Sequence, residues 1–401
     1  MKRAHNFLWI PSLAFLLAAG CANNPTSSTS TSGTCTPSST PEASYVLTGY
    51  AVSMYTVNSC TGQFTAATPA SVGTGYEYPQ NDDSEQLVAD PLGRFAYVAN
   101  LVSNVAGPSS ISMYTVSSTT GVLTPTTPAT VSTGWFPQGI AIDPQGRFVY
   151  TANSDDSSVS MFTINQTTGV LTPTTPASVS TLVANEPYSS PGFLTVDPSG
   201  RFLYVTASLS EDAAVFMYNI NQTTGALTPT SPATVLTGGI PFQVRVAPNG
   251  KWAYVVNNLN FTTSVDGVYQ YTVNPTTGVL TSNNPGAAVA GNGPTEIAID
   301  PTSSFAYVVN RQDNTVSMYT IDPVSGNLTL HSTATNPSGT IATGEEPFRI
   351  DFDPSGKFVY VTNEGSAASI YTVNGDGTLS DTGATGVGSG SVSTAFTTLS
   401  R

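Results

Sequence analysis

The chain has 401 residues, 39% hydrophobic and only 9% charged, with a formal net charge of −14. That balance excludes a nucleic-acid partner, because no Lys/Arg stripe exists to replace phosphate counterions, and it opposes adsorption to anionic lipid. A surface so poor in charge must be wetted by Thr, Ser, Asn and Gln, a composition suited to exported β-proteins and not to long exposed helices.

The N-terminus reads as a processing signal. Lys2 and Arg3 precede an apolar run from Phe7 to Leu17, interrupted by Pro11. The run is too short to span a bilayer, and residues 1–20 are expected to be removed on export. Ala18-Ala19-Gly20-Cys21 resembles the lipobox of bacterial lipoproteins, with Ala18 standing where that motif usually has Leu. The resemblance implies a lipid on Cys21 and a protein of the bacterial cell envelope. It would face the periplasm or the exterior and touch the membrane only through that anchor. An ordinary cleaved secretory signal is the alternative. Residues 21–44, dense in Ser, Thr and Pro, read as a flexible tether. The other two cysteines are Cys35 in the tether and Cys60 in the first repeat. In an oxidising compartment they either pair or remain free thiols.

From residue 45 onward the sequence repeats. Asp90-Pro-Leu-Gly-Arg-Phe-Ala-Tyr97 recurs with its key positions kept from Asp143, Asp197, Ala247, Asp300 and Asp353, at intervals of 53, 54, 50, 53 and 53 residues. Each unit carries four strand signals separated by turn chemistry. In the second copy, Gly139–Asp143 is a short apolar strand, and Pro144-Gln-Gly146 makes a tight turn. Phe148–Asn153 is a second strand, Val159–Ile164 a third, and Val170-Leu-Thr172 begins a fourth. Four antiparallel strands per unit is the blade of a β-propeller. Before the first unit, Tyr45-Val-Leu, Ala51–Val57 and Gln63-Phe-Thr supply strands two to four of a blade that lacks its first. Ser393–Leu399 supplies a lone strand at the other end. Joining these fragments predicts an all-β fold over residues 45–401: a seven-bladed propeller closed by its C-terminal strand, with no open sheet edge.

The Tyr-Val-Ala-Asn100, Tyr-Val-Val-Asn310 and Tyr-Val-Thr-Asn363 elements resemble YVTN repeats. Together with Asp-Pro-x-Gly-Arg/Lys-Phe and Thr-Gly-x-Leu-Thr, they make the chain similar to the lactonase-like seven-bladed propellers. Those include the bacterial 6-phosphogluconolactonase type and the fungal carboxymuconate lactonizing enzymes. The resemblance implies the fold directly, and a lactone-opening activity with His, Arg and Glu around a central pocket. It carries no individual catalytic position over to this chain.

Subtracting the residues that serve the repeat leaves few for function. Arg94, Arg147, Arg201, Lys251 and Lys357 share one turn slot, so Arg245, Arg311 and Arg349 are the non-structural cations of the folded part. Strand numbering places Arg245, Glu296, Arg349 and Asp351 on successive inner strands. Arg311 opens a loop on the same side, and Glu345 and Glu346 lead into Arg349. This cluster is expected at the channel mouth. There it either holds a polar or anionic ligand or neutralises itself around a water-filled channel. In a lactone-opening reaction Glu296 would polarise water. Neither a Ser-His-Asp set nor a zinc motif can be assembled from His5 and His331. Acidic loops (Asp82, Asp83, Asp155, Asp156, Glu186, Glu211, Asp212, Asp266, Asp313, Glu364) and aromatic ones (Tyr76, Tyr78, Trp135, Phe136, Tyr188, Phe242) share the top face. No loop carries the ligand spacing of a Ca²⁺ site. The expectation drawn from these features is a monomeric binding scaffold whose top face engages a protein, glycan or small molecule, without metal or cofactor. A lactonase-type hydrolase using the charged cluster is the alternative.

Overall fold

The computed structural model describes residues 42–48, 51–74, 86–100, 109–183, 188–209, 212–258, 266–283, 287–384 and 393–398. All of their regular elements are strands, and these form seven antiparallel sheets. Blade 1 runs outward from Gln86–Ala89 through Phe95–Asn100 and Ser110–Val116 to Leu123–Ser132. Blades 2 to 6 repeat that order, from inner strands Pro137–Ile142, Ser189–Val196, Pro241–Val246, Pro294–Ile299 and Pro347–Phe352. Blade 7 is the expected composite. Its three outer strands come from the N-terminal side, and Ser393–Thr398 pairs with Glu42–Thr48 to complete it, Glu42 facing Thr398. The first described strand is Glu42–Thr48. The proposed signal, Cys21 and Cys35 lie outside the described residues, as does the tether up to residue 41. Cys60 is disulfide-bonded.

Three recurring residues build most blades, although in blade 4 Ala247 stands in the aspartate slot and Gln270 in the methionine slot. In the turn after the inner strand, Asp143 is fully buried and accepts hydrogen bonds from the backbone N–H groups of Arg147 and, at 2.8 Å, Phe148. The Arg147 Nε caps the same carboxylate at 2.9 Å. The tyrosine of the second strand then reaches a turn of the adjacent blade. Tyr150 Oη donates to the Gly225 carbonyl at 2.9 Å. All seven blades make this bond, from Tyr45, Tyr97, Tyr150, Tyr204, Tyr254, Tyr307 and Tyr360. Tyr360 bonds Gly62, which closes the ring between blades 6 and 7. Finally, a buried methionine sulfur accepts the N–H of a leucine one blade on, as Met161 does from Leu227 at 3.1 Å.

The outer strands continue well past the residues with which the sequence reading has them begin. The reading from sequence follows the fourth strand of blade 2 only as far as Thr172, but it runs from Leu171 to Ser180, through a cis Thr175-Pro176 bond and a register shift opposite Ser160/Phe162. Proline fits there because the outermost strand has no further neighbour to receive its missing N–H bond. In blades 4 and 5 the outer strand is interrupted, as Leu280–Ser282 with Ala288–Val289 and Leu328–Leu330 with Thr340–Ala342.

Candidate functional site

The inner strands line the central channel, and one position on each faces the same level of it. Reading round the blades, that position holds Gln86, Gly139, Phe193, Gln243, Glu296 and Arg349. Where the residue has a side-chain acceptor, it performs one structural task. Gln86 Oε1 accepts the N–H of Ile140 at 2.9 Å, Gln243 Oε1 that of Ile297 at 2.9 Å, and Glu296 Oε2 that of Ile350 at 3.0 Å. Each bond stitches an inner strand to the next. The second oxygen of Glu296 is also engaged, by Gln243 Nε2 and by Arg245 Nη2 at 3.3 Å. Glu296 therefore ties blades 4, 5 and 6 together.

Arg349 occupies the same position but cannot accept a hydrogen bond. Its side chain turns into the channel, where the residue is only 3% exposed. All three guanidinium nitrogens lack a hydrogen-bond partner among the described residues. The group is held by ring faces instead, 4.5 Å from the centroid of Phe193 and 4.9 Å from that of Phe348. Burial pulls its pKa below the usual arginine value, and the nearby Glu296 carboxylate opposes the fall. A cation that has lost its water and gained no acceptor is costly to a fold. Such a group is poised to pair with an anion or a developing negative charge.

Two residues along the same strand, about 7 Å away, Asp351 lines the same wall. Desolvation is the main cause that raises its pKa to about 6, against the pull of Arg245 and with a further push from Glu296. Arg245, Glu296, Arg349 and Asp351 all border one cavity of about 390 Å³, whose remaining wall includes Leu87, Ile140, Leu194 and Thr195. The quartet expected from inner-strand numbering is thus brought together.

The rest of the expected cluster is not part of that cavity. Arg311 Nη2 pairs with Glu364 at 2.5 Å and with Glu346 at 3.6 Å, and its guanidinium lies 5.3 Å from the Phe348 centroid. Both Arg311 and Arg349 therefore lie against the Phe348 ring. Glu345 is exposed, and its backbone N–H donates to Ser366 Oγ at 2.9 Å. The sequence reading passed over the aromatic wall of Phe193, Phe242 and Phe348, with ring centroids 4.8 and 5.6 Å apart. Its signal was available, since Phe193 sits at the register position of Arg349. Phe242, expected as a sticky loop residue, belongs to that wall.

The acidic loops serve local order. Asp156 Oδ2 accepts the Trp135 N–H at 2.5 Å, Asp313 Oδ2 that of Asn292 at 2.7 Å, and Asp266 Oδ2 that of Gly293 at 3.0 Å. Trp135 and Tyr188 are about half exposed. Tyr76, Tyr78, Asp82, Asp83, Glu186 and Glu211 lie outside the described residues.

Comparison with known proteins places these features. The family described as "Lactonase, 7-bladed beta-propeller" matches residues 47–187 and 189–396. A 6-phosphogluconolactonase of Bacillus subtilis is 26% identical over 188 residues, covering 46% of this chain and 53% of that protein. One from Pectobacterium carotovorum is 34% identical over 90 residues, or 22% of this chain and 27% of that protein. The chain thus spans about half the length, or less, of these curated relatives. Among solved structures, a periplasmic gluconolactonase of Pseudomonas aeruginosa superposes with a TM-score of 0.67 at 18% identity, over 90% of this chain and 100% of that one. A protein from Lactobacillus plantarum does so with a TM-score of 0.66 at 22% identity, over 89% and 99%. These likenesses share the fold. The family and the named relatives overturn the expectation of a binding scaffold acting through its top face. They favour the lactonase alternative.

Proposed function

We propose, since this chain belongs to the lactonase family of seven-bladed β-propellers, that it is a lactone hydrolase working in the central channel. The observation that carries the reading is the buried Arg349 guanidinium, which has no hydrogen-bond partner among the described residues. Opening a cyclic ester places negative charge on the carbonyl oxygen in the transition state. A preorganised cation in a water-poor site stabilises that charge far more than water would. Asp351 is the proton acceptor in this reading. A pKa of about 6 leaves it ionised near neutral pH yet more basic than an ordinary aspartate.

Water attacks the carbonyl carbon while Asp351 takes its proton. The carbonyl electrons move to oxygen beside Arg349. As the tetrahedral species collapses, the ring C–O bond breaks and the protonated Asp351 returns its proton to the departing alkoxide. Glu296 supports the site by fixing Arg245 and the backbone of Ile350, because its own oxygens are already engaged.

The test is a pH-stat assay of ring opening with the full-length protein on a panel of five- and six-membered sugar-acid lactones. Turnover above the uncatalysed rate is expected for at least one. If none is opened faster than in buffer alone, the reading fails.

A further inference from the structure

An inner strand is bonded along one edge to the second strand of its blade and turns its other edge to the channel. In blade 4 the Ala247 N–H donates to the Trp252 carbonyl at 2.8 Å, and in blade 3 the Asp197 N–H donates to the Phe202 carbonyl at 2.9 Å. Opposed residues of an antiparallel pair alternate between bonded and unbonded. Counting back from Ala247, Arg245 opposite Tyr254 is bonded, and Val244 opposite Val255 turns its N–H to the channel. Counting back from Asp197, Leu194 opposite Val205 does the same in blade 3. Ile140, Ile297 and Ile350 hold the equivalent position, and theirs are the N–H groups that Gln86, Gln243 and Glu296 accept.

That cap is missing at two neighbouring blades. The residues placed to serve Leu194 and Val244 are Gly139 and Phe193, and neither side chain can accept a hydrogen bond. At Gly139 the backbone fills the gap. A Cβ there would lie 2.5 Å from the Gly192 carbonyl oxygen and 2.8 Å from Leu194 Cδ2, so blades 2 and 3 close together beside the Leu194 N–H. At Phe193 the ring packs on Phe242, with centroids 4.8 Å apart, and the cavity wall includes Val244 but not Phe193. Val246 turns its N–H the same way, but about 7 Å farther along the strand.

The uncapped Val244 N–H thus borders the cavity that Arg349 borders. Phe193 links the two, since the Arg349 guanidinium lies 4.5 Å from its ring centroid. A backbone N–H fixed in a strand is a donor already aimed, with no reorganisation to undergo when charge appears. We propose that the Val244 N–H is a second catalytic donor, receiving the carbonyl oxygen together with Arg349 as negative charge develops on it. The proposal rests on the lactone-hydrolase reading above. It also accounts for phenylalanine in a slot that elsewhere holds an acceptor: the N–H is left for substrate while the ring face holds the cation.

The experiment replaces the Val244 amide by an ester in the full-length protein, using the α-hydroxy analogue of valine, which removes the N–H and keeps the side chain. On the best substrate of the lactone panel, kcat should fall by about 100-fold or more, with KM and Tm close to the wild type. The same replacement at Ile297, whose N–H Gln243 holds, should lower the Tm more and kcat less. An unchanged kcat for the Val244 ester, or an equal loss at Ile297, overturns the inference and leaves the hydrolase reading standing. A wild-type protein that opens no lactone defeats both. A second comparison does not depend on the ester folding. Phe193→Gln and Phe193→Met both lose the ring, but only the first regains an acceptor for the Val244 N–H, and its kcat should be lower by about tenfold or more. Equal kcat in these two variants also overturns the inference.

Discussion

Replacing Asp351 by Asn separates the proposed catalytic base from a merely buried acid. A carboxyl whose pKa rises from 3.8 to about 6 on folding carries a penalty of about 3 kcal/mol once it is ionised in the native state. Well below pH 3.8 both folded and unfolded chains hold the proton, and no penalty exists. As pH rises from about 4 to 6 the unfolded chain releases its proton more readily, so the native state loses stability relative to Asp351→Asn. Above pH 6 the full difference is reached. Urea unfolding of the two proteins at pH 4, 6 and 8 should therefore show nearly equal stability at pH 4 and a variant more stable by about 3 kcal/mol at pH 8. Other titrating groups largely cancel in the comparison. The same substitution should abolish turnover, while the wild-type kcat/KM profile shows an acid limb near pH 6. A stability difference that does not change with pH, or a variant that keeps both activity and the acid limb, would refute the assignment.

Other consequences concern the architecture. Tyr360→Phe removes the donor to the Gly62 carbonyl, 2.8 Å away across the closing junction. It should cost about 1–3 kcal/mol in urea unfolding; a loss too small to measure would show that the junction does not depend on this bond. Gly225→Ala puts a Cβ 2.5 Å from a Phe148 ring carbon, at a φ of +74°. Left-handed strain of about 1–2 kcal/mol and overpacking of about 1–3 kcal/mol should together lower the unfolding free energy by about 3 kcal/mol, and an unchanged value would contradict the packing described. A lipid on Cys21 predicts that Cys21→Ser moves the protein from the membrane pellet to the soluble fraction. Retention in the pellet would contradict the anchor.

What the sequence discloses divides along the repeat. The Asp-Pro turns, the tyrosines and the turn glycines recur because each blade must solve the same closure problem, so their spacing alone specified seven blades. Even the split blade was legible, because its fragments kept the register of the whole ones. The site was harder to read because it lies in departures from the repeat. Glu296, read as the carboxylate that would polarise water, fills the position of Gln86 and Gln243 and does their work of binding the next strand. Arg349 stands out only when that shared duty is known, since it alone of the four cannot perform it. Pairing across blades was legible in part: Arg311 and Glu364, one repeat interval of 53 residues apart, hold equivalent positions on neighbouring blades and meet, whereas the contact of both Arg311 and Arg349 with the Phe348 ring is seen only in the structure. The outer strands were read by their first residues and not to their full length, because a Thr-Pro-x-x-Pro run reads as a turn. An edge strand tolerates it, since nothing beyond needs its hydrogen bonds.

The central claim is that the buried Arg349 guanidinium, without an acceptor among the described residues, serves the developing charge of lactone opening. Its most direct test is kcat/KM for glucono-δ-lactone with the full-length protein and with Arg349→Met, which keeps an apolar side chain against Phe193 and Phe348. Loss of one preorganised donor should lower kcat/KM by about 100-fold or more, with unfolding stability unchanged or increased because an unpaired buried charge is gone. A folded Arg349→Met protein that opens the lactone as fast as the wild type would contradict the account.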